Sequence, residues 1–201
     1  MATQLSHAPD WGEVSFEDFL TRYDDQHAEW VAGTVVPLSP ASDRHQDIVG
    51  FLHMALRPFV DRLGGVMRAG PSVMRLRSSA REPDLFAVTA EHRSRISTNY
   101  LDGGADFVVE VVSPESRTRD RVEKFREYQQ AGVREYWLID PVAKKAEQFR
   151  LGDGGVFEPV PLGRPARLTS EVFPGMWISV EWLWSEPLPE VFAVFRAWGL
   201  M

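Results

Sequence analysis

Two acidic residues, Asp84 and Glu110, lie in segments whose apolar residues are typical of buried β-strands. Asp84 follows Pro83 and opens the apolar run 84–88, and Glu110 lies inside the run 106–112. An unpaired charge is costly to bury, so each carboxylate needs a partner. If the two strands pair, both carboxylates can reach one Mg²⁺ ion, which prefers hard oxygen ligands. Such an ion can activate a water molecule and stabilise charge on a phosphate.

Each acid also has a purely structural interpretation. Asp84 could be a loop carboxylate that follows a proline. Alternation along the strand puts Glu110 on the same face as Val108, so its main competing explanation is a buried ion pair with an arginine, such as Arg75 or Arg77. In that case the charges would form a structural cluster in a homodimeric scaffold.

Further along the chain, a set of three polar residues could complete a reactive site with these two acids. Asp120, Lys124 and Tyr128 are four residues apart in the segment 117–130, which predicts a helix, so they share one face. Lys124 would then point back toward Glu110, where an ammonium group could stabilise developing negative charge. The alternative is an ordinary solvated salt bridge between Asp120 and Lys124, worth about 0.2–0.5 kcal/mol.

Composition excludes several classes of function. The 201 residues fit one domain with a sizeable core. There is no cysteine, which excludes disulfides, thiolate metal sites and cysteine nucleophiles. A net charge of −7 argues against a protein that coats nucleic acid through bulk charge. No signal peptide and no apolar run of about 20 residues is present, so the sequence predicts a cytoplasmic protein without a membrane span.

The order of strands and helices predicts one α/β domain with a mixed central sheet flanked by helices. We expect a flexible leader over residues 1–14 and a single domain over 15–201. Within the domain, the pattern predicts a helix from Ser15 to about Tyr23, two strands within 28–38, a helix from Asp43 to Leu63, strands at 66–76 and 84–88, a polar loop at 89–105, a strand at 106–112, a helix at 117–130, strands at 135–140, 145–151, 156–161 and 176–180, and a helix at 189–199.

Seven short motifs occur in a fixed order along the chain. They are the ExxxG of Glu29 to Gly33, the SPxxxxH of Ser39 to His45, Pro83-Asp84, the EVVSP of Glu110 to Pro114, the DxxxK of Asp120 to Lys124, the YxxxG of Tyr128 to Gly132, and the EYWLIDP of Glu135 to Pro141. Together they resemble the restriction-endonuclease family called Uma-two, which has a PD-(D/E)XK nuclease-like fold. The resemblance covers roughly residues 15–185.

The resemblance implies a restriction-endonuclease-like fold, a nucleic-acid substrate and a Mg²⁺ ion, for which Mn²⁺ could substitute. It makes Asp84 and Glu110 the metal ligands. The wider nuclease pattern has a lysine two residues after the second acid, but Val112 stands there. Lys124 would therefore be the migrated catalytic lysine.

Three further residues at family positions are candidate accessories to this site. Glu29 would add a carboxylate near the metal, and His45, in the first turn of its helix, would contact a phosphate or cap that helix. Asp120 shares the helix face of Lys124. His27 shows no metal-ligand spacing.

Two functions therefore stay open. The first is a Mg²⁺-dependent nuclease that hydrolyses phosphodiester bonds. The second is a protein of the same fold that binds nucleic acid or a protein partner without cutting, which the acidic net charge and Val112 favour. The aromatic C-terminal segments, FPGMWISVEWLW and VFAVFRAWGL, predict core packing, and an exposed aromatic patch there would favour a homodimer.

Overall fold

A computed structural model describes residues 13–23, 25–114 and 116–201. The leader expected over 1–14 lies outside the described residues up to residue 12. Val14 is buried, and its N–H donates to the carbonyl of Gly33.

Helices and strands occur in a mixed order along the chain, as the sequence pattern predicts. The helices are α1 (Phe16–Arg22), α2 (Asp43–Arg62), α3 (Phe125–Gln130) and α4 (Val191–Ala197). The strands are β1 (Ala28–Val31), β2 (Thr34–Pro37), β3 (Val66–Ala69), β4 (Val73–Arg75), β5 (Ser79–Arg81), β6 (Leu85–Val88), β7 (Tyr100–Asp102), β8 (Phe107–Val111), β9 (Glu135–Asp140), β10 (Lys145–Leu151), β11 (Phe157–Pro159), β12 (Arg167–Thr169) and β13 (Trp177–Ser179). The segments Ala90–Arg95 and Val180–Trp184 are 3₁₀-helical, and Arg119–Lys124 is a π-helix that leads into α3.

The larger sheet has six strands in the order β11-β10-β9-β8-β6-β3. Strands β8 and β9 run parallel and every other neighbouring pair is antiparallel, so the prediction of a mixed sheet is confirmed. Side chains on one face pack against α2, whose Ile48, Leu52, Leu56 and Phe59 are buried at the spacing that predicts this helix. The other face packs against α3 through Tyr128.

A second sheet has five strands in the order β2-β1-β5-β4-β7. Its β1–β2 hairpin turns at Ala32 and Gly33, as the sequence predicts, and both residues have positive φ angles. This sheet carries Glu29 on β1 and Arg81 on β5. Strands β12 and β13 form a separate two-stranded sheet.

Three predicted elements differ in the structure. The strand expected over 66–76 is divided at Gly70-Pro71, because proline cannot continue a β-ladder, and β3 and β4 belong to different sheets. The loop expected over 89–105 contains a 3₁₀-helix and β7. Within the expected helix 117–130, the first turns are π-helical, a form that often occurs at functional sites.

No helix in the described part of the chain is long and apolar enough to cross a bilayer.

Candidate active site

Strands β6 and β8 bring Asp84 and Glu110 together. The two strands pair with Leu85 opposite Val109, so Asp84, which precedes β6, lies beside the end of β8. The Val111 N–H donates a hydrogen bond of 2.7 Å to Oδ2 of Asp84. The expected strand pairing is therefore observed.

Asp84 is the more exposed of the two acids, with a side-chain exposure of 21%. Its Oδ2 also lies 3.2 Å from Nε2 of His45, in the first turn of α2. Burial lowers the pKa of His45, but the hydrogen bond to Asp84 and its charge outweigh burial, so the pKa is raised. His45 does not cap its own helix with its ring. Instead, Ser42 caps the helix, because its Oγ accepts a hydrogen bond from the backbone N–H of His45.

Glu110 is buried, and one oxygen receives two hydrogen bonds. Lys124 Nζ lies 2.9 Å from Oε1, and the Tyr128 hydroxyl donates to the same atom at 2.7 Å. Burial raises the pKa of Glu110 well above its ordinary value despite the nearby Lys124, and the charges of Asp120 and Asp84 raise it further. A cation bound beside Glu110 would therefore stabilise the ionised form of its carboxyl group.

Lys124 points into the site from the end of the π-helix. Its side chain is 4% exposed and its Nζ lies near four oxygens: 2.9 Å from Glu110 Oε1, 3.1 Å from Glu29 Oε1, 3.6 Å from Asp120 Oδ1 and 3.4 Å from the carbonyl of Glu82. Burial lowers the pKa of Lys124, but the surrounding carboxylates outweigh it and raise the pKa. The raised pKa favours the ammonium form of Lys124 at neutral pH.

The two arginines considered as structural partners of Glu110 lie elsewhere in the structure. Arg75 lies over the Phe16 ring at 4.4 Å and 3.7 Å from Glu17, and Arg77 is exposed. The solvated salt bridge considered for Lys124 is not observed either, because Lys124 and Asp120 are both buried.

Glu29 belongs to a layer of charges behind Lys124. It is fully buried, accepts from the Glu82 N–H at 3.1 Å, and pairs with Arg81 Nη1 at 2.9 Å. Burial raises the pKa of Glu29, but Lys124 and Arg81 outweigh it and lower the pKa, so Glu29 is ionised. Its contacts make it a partner of Lys124 and Arg81.

Arg81 connects this layer to α3. Its guanidinium is 1% exposed and bonds twice to Glu127, at 2.7 and 2.6 Å, and the Ser79 hydroxyl donates to the same carboxylate at 2.6 Å. The lysine is thus held by a buried network that joins β1, β5, β8 and α3.

Asp120 contributes a buried oxygen that has no hydrogen-bond donor. Its Oδ2 accepts from the Ser116 hydroxyl, whereas Oδ1 has no hydrogen bond and lies 3.6 Å from Lys124 Nζ. Burial raises the pKa of Asp120, which Lys124 opposes, and the charge of Asp84 raises it further. An unsatisfied buried oxygen of this kind is a potential ligand for a cation.

The donors around Asp84, Glu110 and Asp120 suit a hard divalent cation. All three are carboxylates, and the charge of Asp84 raises the pKa of the other two, so positive charge between them would be stabilising. Within the described residues, no three His, Asp or Glu side chains form a ready-made metal cluster. Asp84 and Glu110 would hold the ion, with Asp120 Oδ1 nearby.

Sequence reasoning missed Arg81, Glu82, Glu127 and His27. Glu82 is 9% exposed, and its Oε2 lies 3.2 Å from Nε2 of His27. Burial raises the pKa of Glu82 to about 7, with a further contribution from the charge of Glu29 and an opposing one from Lys124. The one available signal was the position of Glu82 directly before Pro83-Asp84.

The raised pKa of Glu82 predicts a pH-dependent stability. Its folded pKa of about 7 exceeds the ordinary 4.5, so its contribution is fully present below pH 4.5 and lost as the pH rises through 7. Glu82→Gln stays neutral. As the pH rises from 4 to 8, the wild type should therefore lose about 3 kcal/mol of unfolding free energy relative to Glu82→Gln. Urea unfolding of both proteins in metal-free buffer measures this difference. A difference that is constant across this range would contradict the prediction.

The solved structures include a similar fold. The crystal structure of a putative nuclease belonging to DUF820 from Anabaena variabilis superimposes with a TM-score of 0.61 and 15% identity, covering 78% of this chain and 89% of that one. The likeness shows that the two proteins share this α/β fold, a mixed sheet flanked by helices. A search of curated proteins gives no match.

A family model gives the assignment. The model described as "Uma2: Putative restriction endonuclease" matches residues 16–181. The chain therefore belongs to the Uma2 family, which confirms the resemblance carried by the seven motifs.

Proposed function

We propose that this protein is a Mg²⁺-dependent nuclease that hydrolyses phosphodiester bonds of nucleic acid. The observation that carries the proposal is the position of Lys124, whose ammonium group lies 2.9 Å from Glu110 on the strand next to Asp84. Membership of a restriction-endonuclease family supports the same reaction class.

Each residue has a separate role in the proposed reaction. Asp84 and Glu110 would hold Mg²⁺, or Mn²⁺ in its place, and this ion supplies Lewis-acid activation of water and phosphate. Lys124, held as a cation by Glu29, stabilises negative charge that develops on the phosphate. His45 orients the Asp84 carboxylate. Tyr128 donates to Glu110 and keeps that carboxylate directed toward Lys124.

Lys124 takes the place of the lysine missing from the strand. Val112 is buried in the core with Tyr128 and cannot supply an ammonium group. The π-helix brings Lys124 to the same carboxylate from the helix side. This contact supports the proposal that Lys124 takes the catalytic role of the lysine that the wider nuclease pattern has on the strand.

Isosteric changes at the two proposed ligands test the metal step. Asp84→Asn and Glu110→Gln should each lower Mg²⁺-dependent cleavage of labelled DNA or RNA by at least about 100-fold, because each removes charge from the metal site. Isothermal titration with Mn²⁺ should show weaker binding in both variants. Asp61→Asn, an exposed acid at the end of α2, is the matched control. Wild-type protein that binds neither ion and cuts neither polymer would refute the proposal.

One observation favours the non-cleaving alternative. Lys124 already has three carboxylates around it, Glu29, Glu110 and Asp120, so its charge is compensated within the protein. In this case the protein would bind nucleic acid without cutting it. Binding of an oligonucleotide that is unchanged in Glu110→Gln, without cleavage in any metal, would select this alternative.

A homodimer and a cytoplasmic location stay predictions from the sequence. Most of the C-terminal aromatic residues pack against one another, as Trp177 does with Trp182 and Trp198. Phe192 contacts Phe195 and is still 60% exposed on α4. The mass in solution, measured by light scattering, would test the dimer.

A further inference from the structure

A cleft between the two sheets gives access to the candidate active site. Its volume is about 820 Å³, and Asp84, His45 and Glu82 form part of its wall. Glu110 and Lys124 are buried. A phosphate that reaches the carboxylates from solvent would therefore enter through this cleft, beside Asp84.

The cleft has the size of a small-molecule pocket. Its volume lies within the range of about 300–1,000 Å³ that is typical of ligand sites. A space of this size accommodates one nucleotide and is too small to enclose an intact B-form duplex, whose major groove alone is about 12 Å wide.

The polar wall suits the edge of a base. Three exposed amide side chains come from three separate elements: Gln26 precedes β1, Gln46 lies on α2 and Asn99 precedes β7. Amide side chains pair with the donor and acceptor groups of base edges, most directly with adenine. Half-buried apolar groups, including Leu20 and Tyr100, form part of the same lining.

The charge of the wall does not suit a long phosphate backbone. Arg68 is the one Lys or Arg among the described residues that line the cleft, against the acids Asp25, Glu82 and Asp84. Proteins that follow a duplex neutralise many phosphates with Lys and Arg. The lining is therefore suited to one base and one phosphate.

We propose that this cleft binds a single unpaired nucleotide next to the scissile phosphate. The inference rests on the proposed nuclease function and specifies its substrate class: a single strand, or a nucleotide turned out of a duplex. Turning out a base has an unpairing cost that is smallest where the base is already mismatched or bulged. A perfectly paired duplex is accordingly the poorest substrate.

Binding and cleavage of matched oligonucleotides test the proposal separately. One labelled sequence is prepared as a single strand, as a perfect duplex and as a duplex with a single-nucleotide bulge. Fluorescence anisotropy in Ca²⁺ measures affinity, and gel assays in Mg²⁺ and Mn²⁺ measure cutting. We expect the single strand and the bulged duplex to bind at least about tenfold more tightly than the perfect duplex.

The double variant Gln26→Ala/Asn99→Ala shows whether the cleft is responsible. It should weaken binding of the single strand by about tenfold through loss of amide contacts to the base. Gln130→Ala, which removes an exposed amide at the end of α3, outside the cleft lining, is the matched control and should bind as the wild type does.

The outcomes separate the two ideas. Equal binding of the perfect duplex, or a double variant that binds like Gln130→Ala, overturns the cleft proposal even if DNA is cut. Cleft-dependent binding of single strands without cleavage in either metal supports the cleft proposal and overturns the nuclease function.

Discussion

Lys124→Met is expected to lower the rate of phosphodiester cleavage by about 10²–10³-fold at saturating Mg²⁺. The reason is that Lys124 is the cation beside Glu110, and removing one preorganised charge-stabilising group has an effect of this size. Cleavage of a labelled oligonucleotide, normalised to the folded fraction from circular dichroism, measures it. Lys145→Met removes an exposed lysine on β10 and should leave the rate unchanged.

The absence of cysteine allows a direct test of the charge. Lys124→Cys carries a single thiol, because the natural chain has none. Alkylation of the unfolded variant with 2-bromoethylamine, followed by refolding, restores an ammonium group on a side chain of nearly the same length. Recovery of at least about tenfold in rate would assign the effect to the charge. A variant that is as active before alkylation as after it would exclude a role for Lys124 in the reaction.

Arg81→Met is expected to destabilise the fold by about 3–5 kcal/mol. Arg81 is 1% exposed, and its loss would remove the closest cation of Glu127 and one of the two closest cations of Glu29, which leaves buried charge uncompensated. Urea unfolding followed by tryptophan fluorescence gives the free energy of unfolding.

Two controls separate lost charge pairing from lost packing at Arg81. Arg57→Met breaks an exposed pair with Asp61 on α2 and should change stability by less than about 1 kcal/mol. Adding Glu29→Gln and Glu127→Gln to Arg81→Met removes the charges left behind and should restore part of the loss. If the triple variant is less stable than Arg81→Met, uncompensated charge is not the cause.

The sequence predicted the central part of the site because local periodicity controls it. Alternation along 106–112 placed Glu110 on the face of Val108, and the four-residue spacing placed Lys124 and Tyr128 together on one side of a helix. Both side chains reach Glu110 in the structure. Asp84 was predicted from its place at the start of an apolar run, which pairs with the strand of Glu110.

The layer of charges behind Lys124 could not be predicted from the local sequence pattern. Arg81 and Glu127 are 46 residues apart, and Arg81 and Glu29 are 52 apart, so the pairing of β1 with β5 and the packing of α3 beside them bring these residues together. The sequence therefore suggested that Glu29 is an accessory near the metal, and its direct contacts are with Lys124, Arg81 and the Glu82 N–H. The division of 66–76 between two sheets, in contrast, follows a local signal, Pro71, which cannot continue a β-ladder.

The buried ion network also has a consequence for assembly of the molecule. Glu29 and Arg81 come from the five-stranded sheet, Glu110 from the six-stranded sheet, and Lys124 from the helical segment between β8 and β9. A chain in which one sheet has formed and the other has not cannot hold the ammonium group in place. The proposed cleavage therefore requires both sheets, and we expect a partly folded chain to be inactive.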